Sequence, residues 1–167
     1  MSTQRRFSTF DLLRFNNVNL DPLTETYNMY FYLQYLAKWP EYCFTAEGPG
    51  KRVMGYILGK AESFSGVSES WHGHVTAVTV PPEYRRLGMA TKLMDELERV
   101  SEWDKCYFVD LYVSTRCGGG VSCVHASPVR KDLTPTRCPS CSAGLFASRT
   151  LLLSGCTRKW VIRSTGR

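Results

Sequence analysis

The segment Arg85-Arg86-Leu87-Gly88-Met89-Ala90, here called the phosphate cradle, has residue types and spacing that suggest binding chemistry. A glycine at the start of a helix lets the main chain approach a ligand closely, and the unpaired N–H groups of the first helical turn attract phosphate. The spacing Arg-x-x-Gly-x-Ala matches neither the P-loop pattern nor the Gly-x-Gly-x-x-Gly pattern of dinucleotide-binding proteins. On spacing alone, a phosphate site and an ordinary helix start beside two solvated arginines are open alternatives.

Two histidines, His72 and His74, follow Trp71 in a segment typical of a strand, and Thr76 lies two residues further on. Because side chains alternate along a strand, His74 and Thr76 are expected on one face. A histidine can donate a hydrogen bond to a carboxylate or to an amide. The residues alone favour a simpler interpretation, two strand histidines packed beside Trp71, and a zinc site would need a third ligand that the sequence does not identify.

The elements that must position these residues follow from the hydrophobic pattern. Ser8 or Thr9 can cap a first helix after a short strand, and the polar residues 16–22 are expected to interrupt that helix. A second amphipathic segment, 27–39, ends at Pro40. We predict strands at 42–47, 52–61, 71–80 and 107–113, with an amphipathic helix before the last one. This order predicts an α/β or α+β fold, in which helices flank a mixed sheet and the last crossover joins parallel strands.

Charge is distributed unevenly along the chain. The 167 residues carry 21 basic and 15 acidic side chains, yet residues 115–167 hold nine basic residues and one acidic residue. The net charge of +6 therefore belongs to the last third and does not mark the whole domain as a nucleic-acid binder. No apolar run approaches the roughly 18 residues that cross a bilayer, and charges interrupt the first 15 residues, where a signal peptide needs an apolar stretch. We expect a cytoplasmic protein with no membrane partner and no disulfide framework.

Longer segments of the first two thirds resemble a known family. The phosphate cradle, with a strand before it and a helix after it, is similar to the Arg/Gln-x-x-Gly-x-Gly/Ala motif of the GNAT acetyltransferase superfamily. Within that superfamily, four segments resemble the catalytic subunits of NatB N-terminal acetyltransferases. They are residues 15–27 (FNNVNLDPLTETY), 32–40 (YLQYLAKWP), 54–60 (MGYILGK) and 71–76 (WHGHVT). The resemblance runs nearly continuously from about residue 7 to residue 113. It predicts a GNAT domain over residues 2–113 and a divergent basic tail over residues 114–167.

The resemblance implies an acyltransferase that moves an acetyl group from acetyl-CoA to the α-amine of nascent chains beginning Met-Asp, Met-Glu, Met-Asn or Met-Gln. No metal is expected. The cofactor-binding positions that the resemblance implies are the strand end and the cradle: Val78, Val80, Arg85, Arg86, Leu87, Gly88, Met89 and Ala90. Backbone N–H groups near Val78 and Val80 would stabilise the oxyanion, and no catalytic side chain is identified.

Four further positions correspond to residues that grip the peptide in this family. His74 and Thr76 would contact the second residue of the substrate, and Glu25 and Tyr27 would lie in a loop beside its amine. From the residues alone, Glu25 can equally be a solvated loop acid and Tyr27 a core tyrosine. The segment 27–39 has more aromatic side chains than one buried helix face needs, which indicates a further buried surface. The resemblance implies that this region docks a large helical-repeat auxiliary subunit, which brings the enzyme to the ribosome.

The resemblance ends after residue 113. In the family an Asn-containing helix and a closing hairpin follow, with tyrosines that include a candidate proton donor to the departing thiolate. Here the tail contains no tyrosine and resembles an alternative or shifted-frame ending. We expect it to be disordered and to leave the edge of the last strand partly uncovered. The alternative function is therefore a catalytically weakened chain that binds the auxiliary subunit as a competitor or regulator.

The cysteines of the tail allow one further hypothesis. Cys138 and Cys141 have zinc-knuckle spacing, and Cys117 and Cys123 could complete four thiolates, although the first pair is spaced more widely than usual. A basic segment that adheres weakly to ribosomal RNA through unspecific charge is the simpler alternative.

Overall fold

The computed structural model describes residues 2–21, 24–63, 71–114 and 121–128, with the main chain alone for 112–114 and 121–128. The strands are β1 (Thr3–Arg6), β2 (Cys43–Glu47), β3 (Val53–Ser63), β4 (Trp71–Thr79), β5 (Phe108–Ser114) and β6 (Val121–Pro128). The helices are α1 (Asn16–Asn19), α2 (Met29–Lys38) and α3 (Met89–Trp103). The strands form one sheet in sequence order, in which β4 and β5 are parallel and all other neighbours are antiparallel.

The predicted strands, the two longer helices and the parallel pairing are thus confirmed, with small shifts at their ends. Ser8 caps the first element as expected, because its side chain accepts from the Phe10 N–H and Asp11 accepts in return from the Ser8 N–H. That element, Thr9–Leu13, is a 3-10 turn and not an α-helix.

The expectation that residues 16–22 only interrupt a helix is wrong, because α1 occupies Asn16–Asn19. Its polar side chains are satisfied by the sheet. Asn17 Nδ2 donates to the Val53 carbonyl oxygen at 3.0 Å, and the Tyr56 hydroxyl donates to Asn19 Oδ1 at 2.8 Å. Tertiary hydrogen bonds thus offset the poor helix propensity of asparagine.

The expected uncovered edge of β5 is also wrong. β6 pairs antiparallel with β5, from Phe108 opposite Pro128 to Ser114 opposite Val121. The sheet therefore continues past residue 113, where we predicted that the GNAT domain ends. The rest of the tail, residues 115–120 and 129–167, lies outside the described residues.

One face of the sheet is covered by α3, which presents an apolar stripe that includes the fully buried Leu93 and Leu97. These side chains pack with Val75 of β4 and with Val109 of β5. The close approach of helix and strand is possible at Gly73, where a Cβ would lie 2.4 Å from Ser101 Oγ. Within the described part of the chain, no helix is long and apolar enough to cross a membrane.

The other face is covered by α1, α2 and the turn at Thr9–Leu13. Its core is aromatic, with Phe15 packed edge-on against Tyr32 at a centroid distance of 5.2 Å and tilted against Tyr56 at 5.5 Å. Leu58 and Ala77 belong to the same cluster, so α2 covers β3 and the second half of β4.

Two polar contacts attach the loop between α1 and α2 to the end of β4. The Arg85 guanidinium pairs with the buried Asp21 carboxylate and also donates from Nε to the Val80 carbonyl oxygen at 3.0 Å. The Thr24 and Thr79 hydroxyl groups are hydrogen-bonded to each other. These contacts hold the loop that carries Glu25 and Tyr27 beside the segment that leads into α3.

The contact between Gly73 and Ser101 can be tested by a double-mutant cycle. We expect Gly73→Ala to lower the free energy of unfolding by about 1–3 kcal/mol, because the new methyl group overpacks a buried site. In a Ser101→Ala background the same change should cost less, since the clashing Oγ is gone. Denaturant unfolding measures both, and an equal cost in the two backgrounds would contradict the packing described.

The ion pair between Arg85 and Asp21 is testable in the same way. We expect Arg85→Gln and Asp21→Asn each to cost about 1–2 kcal/mol, a figure reduced by the partial exposure of Arg85, and to be non-additive when combined. The exposed pair of Arg52 and Glu83, 3.3 Å apart, is the matched control, with an expected coupling energy below about 0.5 kcal/mol. Equal coupling energies for the two pairs would show that the Arg85 contact stabilises no more than a surface pair.

Candidate active site

A cleft opens between β4 and β5. The two strands pair only at Gly73 with Val109, His74 with Asp110 and Val75 with Leu111. Beyond Val75, β4 continues to Thr79. In the part of the sheet that the structure describes, these last residues of β4 pair with β3 and not with β5. Main-chain groups of β4 that face the cleft are therefore open to a ligand.

A β-bulge lies where the cleft begins. Leu58 pairs with Ala77 and the next residue, Gly59, pairs with Val75, so Thr76 is an extra residue in β4. Val75 packs in the apolar cluster that α3 covers, here called the α3 cluster. Ala77 packs in the aromatic cluster that α2 covers, here called the α2 cluster. Bulges sharpen the local twist and re-aim side chains, and this one turns the end of β4 away from β5.

The phosphate cradle lies after this end of β4. Gly88, at φ 73° and ψ 11°, is the N-cap of α3 and brings no side chain to cap the first turn. Arg86 also has a left-handed backbone, with φ 64°, which costs a residue other than glycine about 1 kcal/mol or more. Met89 is buried in the core and fixes the start of the helix. The N–H groups of the first turn therefore receive no side-chain cap from the cradle, as a phosphate site requires.

The other cradle and strand positions predicted to bind cofactor are distributed around this turn. Leu87 and Ala90 are exposed, and Val78 and Val80 are half-buried against the α3 cluster. The Arg85 side chain is engaged with Asp21 and Val80, so its clear role in the structure is to hold the loops together. Its role toward a cofactor stays a prediction.

A second set of polar residues lies on the face of the sheet opposite α3, at the closed end of the cleft. Val75, Val109 and Leu111 all pack in the α3 cluster, so the residues between and beside them point to the other face. We call this set the polar floor; it consists of Lys60, Glu62, His72, His74, Thr76 and Asp110.

The centre of the polar floor is a buried pair of His74 and Asp110. Nδ1 of His74 is 2.8 Å from Oδ1 of Asp110, and the two residues are 7% and 2% exposed. His72 stacks on Phe108 at a centroid distance of 4.8 Å, with Nε2 3.9 Å from Asp110 and 3.9 Å from Glu62. Glu62 also forms an ion pair with Lys60. The histidines thus belong to a charged network and are not simply packed beside Trp71.

Thr76, the bulge residue, contacts helix α2. Its Oγ1 is 2.9 Å from the Tyr35 hydroxyl, and both residues are buried. Burial raises the pKa of Tyr35, so this hydroxyl remains protonated near neutral pH. The expected shared face of His74 and Thr76 is confirmed, because both point away from the α3 cluster.

Glu25 and Tyr27 lie in the loop between α1 and α2, here called the tethered loop because Arg85 and Thr79 hold it beside the end of β4. Glu25 is exposed. Tyr27 is half-buried, stacks on Phe31 at a centroid distance of 4.2 Å, and donates its main-chain N–H to the Tyr32 hydroxyl at 3.2 Å. Neither contact tests their predicted role in gripping a peptide, which stays a prediction.

Four residues of this site were not predicted as functional from the sequence: Lys60, Glu62, Asp110 and Tyr35. Asp110 offered a signal, because a lone acid within an otherwise apolar strand needs a buried partner. Finding that partner requires the register between β4 and β5, which the sequence does not give. Tyr35 is hidden among the other aromatic residues of α2.

The described cysteines are unsuited to nucleophilic chemistry. Burial raises the pKa of Cys43 to about 12 and that of Cys106 to about 11, so both thiols are protonated near neutral pH. Among the described residues, no three His, Cys, Asp or Glu side chains are arranged to hold a metal ion. The zinc hypothesis for the tail falls outside the side chains that the structure describes.

An exposed hydrophobic surface borders the α1–α2 side of the molecule. Its members are at least 42% exposed, and we call them the apolar edge; they are Phe10, Leu13, Leu20, Met29, Tyr30 and Leu33. A groove of about 460 Å³ lies beside them, lined in part by Leu12, Asn16 and Tyr27. Part of the aromatic surplus predicted from the sequence is thus exposed to solvent.

The chain is similar to several known proteins. The catalytic subunit of the N-terminal acetyltransferase B complex from Arabidopsis thaliana is 67% identical over 114 residues, which cover 68% of this chain and 64% of that protein. The crystal structure of Chaetomium thermophilum Naa20 in complex with a bisubstrate analogue is 45% identical, with a TM-score of 0.63 over 69% of this chain and 64% of that chain. The NatB acetyltransferase complex bound to CoA and MES is 40% identical, with a TM-score of 0.63 over 70% of this chain and 75% of that one.

The chain thus spans 64% of the length of its Arabidopsis relative. The model of the acetyltransferase (GNAT) family matches residues 10–116, which include the cleft, the polar floor and the phosphate cradle. The fold is the GNAT fold, and this chain belongs to the GNAT acetyltransferase family.

Proposed function

We propose that this chain is the catalytic subunit of a NatB-type N-terminal acetyltransferase, which transfers the acetyl group of acetyl-CoA to the α-amine of a peptide. The observation that carries the proposal is the position of the phosphate cradle, directly after the strand that borders the cleft. The relatives named above support the assignment to NatB.

The cofactor is expected to bind along the end of β4. In the proposed complex, backbone N–H groups of Gly88, Met89 and Ala90 hold the pyrophosphate of coenzyme A. The thioester then lies in the cleft, where the N–H groups near Val78 and Val80 can donate to its carbonyl oxygen. Arg86, which is exposed beside the turn, adds positive charge.

The reaction proposed is a direct attack of the amine on the thioester carbon. An α-amine has a pKa near 8, so roughly a tenth is neutral at pH 7 and the demand on a general base is modest. The carbon–nitrogen bond forms, and backbone N–H groups stabilise the oxyanion. The attacking nitrogen loses one proton to water, and the carbon–sulfur bond breaks with release of coenzyme A as its thiolate. The protonated thiols of Cys43 and Cys106 agree with a route that has no acyl-enzyme.

Peptide recognition is assigned to the polar floor and to the tethered loop. His74 and Thr76 would contact the second residue of the substrate, and Glu25 and Tyr27 would flank its amine. A histidine suits Asp, Glu, Asn and Gln alike, since its ring nitrogens can donate to a carboxylate or amide oxygen and can accept from an amide NH₂ group. The expected substrates are therefore nascent chains that begin Met-Asp, Met-Glu, Met-Asn or Met-Gln.

The apolar edge is the proposed docking surface for a helical-repeat auxiliary subunit. Six large exposed hydrophobic side chains beside a groove are unusual on a monomer and typical of an interface. Through that subunit the chain would act at the ribosome, in the cytoplasm.

The enzyme assignment predicts that the full chain, purified with its auxiliary subunit, acetylates Met-Asp peptides and acetylates Ser-started peptides poorly. Gly88→Glu should lower both coenzyme A affinity and kcat/KM by at least about 100-fold, because its carboxylate repels the pyrophosphate at the helix start. A coupled thiol-release assay and calorimetry with coenzyme A measure the two effects.

Gly50→Glu is the matched control. Gly50 is also exposed with a left-handed φ of 72°, and neither glycine has a neighbour within 4 Å of its Cβ position. The backbone strain is therefore similar in the two variants, and Gly50→Glu should retain activity. Equal losses in both variants would contradict the cradle, and partner binding without turnover in the unmodified chain would favour the competitor instead.

The docking surface predicts that Leu20→Asp and Tyr30→Asp abolish co-purification with the auxiliary subunit and leave the melting temperature of the chain within about 2 °C, because both side chains are solvated already. Trp103→Asp is the control, since this tryptophan is 86% exposed at the end of α3, away from the apolar edge. Retained co-purification of the Leu20 and Tyr30 variants would count against the surface.

A further inference from the structure

The polar floor carries an excess of negative charge. One lysine, Lys60, faces two carboxylates, Glu62 and Asp110, so the set has a charge of minus one when both histidines are neutral. Asp110 is 2% exposed, and an uncompensated charge at such a site is costly. A ligand that brings a further carboxylate raises that cost, whereas a ligand with an amide does not.

Histidine is the side chain that can remove this cost near neutral pH, because it readily gains a proton between about pH 5 and 8. His74 lies 2.8 Å from Asp110, and an acceptor at that distance places a hydrogen on Nδ1. In the neutral ring Nε2 can only accept a hydrogen bond, which suits the NH₂ group of an amide. A proton gained at Nε2 makes the ring a donor on both sides, which suits a carboxylate.

From this geometry we infer that the pair of His74 and Asp110 takes up one proton when the peptide carries Asp or Glu as its second residue, and none when it carries Asn or Gln. This inference rests on the proposed function. Asp110 acts through His74 as a positioning and charge-balancing residue, and the same histidine serves both classes of substrate by changing its protonation state.

The other titratable groups near His74 are less suited to take up this proton. Among the side chains that the structure describes, the titratable neighbours are Lys60 and Glu62 of β3, His72 of β4, Asp110 of β5 and Tyr35 of α2, which contacts Thr76. Lys60 is paired with Glu62, and the Tyr35 hydroxyl is already protonated. His72 is the alternative proton acceptor, although its distance to Asp110 is 3.9 Å. In β6 the residue opposite Asp110 is Ala126, which has no titratable group.

The test compares kcat/KM for two peptides that differ only in Asp or Asn at the second position, from about pH 6 to about pH 8.5 with the full chain and its auxiliary subunit. Deprotonation of the α-amine affects both peptides, so it largely cancels in their ratio. We expect the Asp-to-Asn ratio to fall as pH rises, toward a limit of about tenfold per pH unit for one proton. Calorimetry in buffers of different ionisation enthalpy should show about one more proton taken up with the Asp peptide.

Asp110→Asn preserves an acceptor for Nδ1 but removes the charge that the proton would balance, so we expect the Asp-to-Asn ratio to change much less with pH than in the unmodified chain. A merely structural role would lower both activities equally. Glu102→Gln, which removes one exposed charge at the end of α3, is the control and should leave the ratio unchanged. His74→Gln should flatten the pH profile, and a persistent slope in that variant would assign the proton to His72.

The outcomes separate this inference from the proposed function. Acetylation of both peptides with a ratio that does not change with pH, and equal proton uptake in calorimetry, would overturn the inference and leave the acetyltransferase assignment standing. Failure to acetylate either peptide would overturn both. These wild-type measurements decide the matter even if Asp110→Asn does not fold.

Discussion

The separation of β4 from β5 is the constraint on which the rest of this molecule depends. Parallel strands need a long crossover, here made by α3, and the two strands stay in register for only three residue pairs. The bulge at Thr76 turns the end of β4 away, and the left-handed residues Arg86 and Gly88 then turn the chain into α3. A cleft with open main-chain groups and an uncapped helix start therefore lie on one continuous stretch of chain. Main-chain groups that the sheet and the helix leave unpaired need another partner, which water or a ligand can supply.

The two faces of the sheet carry different kinds of side chain. Against α3 the strands present apolar side chains, and small residues such as Gly73 allow the helix to lie close. Against α2 the aromatic core covers β3 and the second half of β4, while the first half of β4 and β5 carry the polar floor. The tether from Arg85 to Asp21 joins these parts, because it holds the α1–α2 loop beside the end of β4. The proposed cofactor and peptide positions are thus linked by the contact between Arg85 and Asp21.

Much of this could be predicted from the sequence, where a local pattern carries the information. The glycine and the helix that follows made the cradle a candidate that the family resemblance favoured, and alternation placed His74 and Thr76 on one face. Features that depend on pairing were missed. Asp110 meets its partner His74 only because of the register between β4 and β5. The bulge at Thr76 has no signature in the amino-acid sequence. Strand β6 is held by main-chain hydrogen bonds to β5, so the irregular side-chain pattern of its sequence concealed it. Helix α1 forms because the sheet satisfies Asn17 and Asn19, a contact that helix propensity does not include.

Amide hydrogen exchange, followed with and without acetyl-CoA, tests the central claim most directly. If the cleft and the uncapped turn together hold the cofactor, saturating acetyl-CoA will slow exchange in two segments, the end of β4 and the first turn of α3. Exchange in the β2–β3 connection at Pro49–Lys51 will not change. Protection that is absent from these two segments, or that appears only in other parts of the chain, would contradict the account.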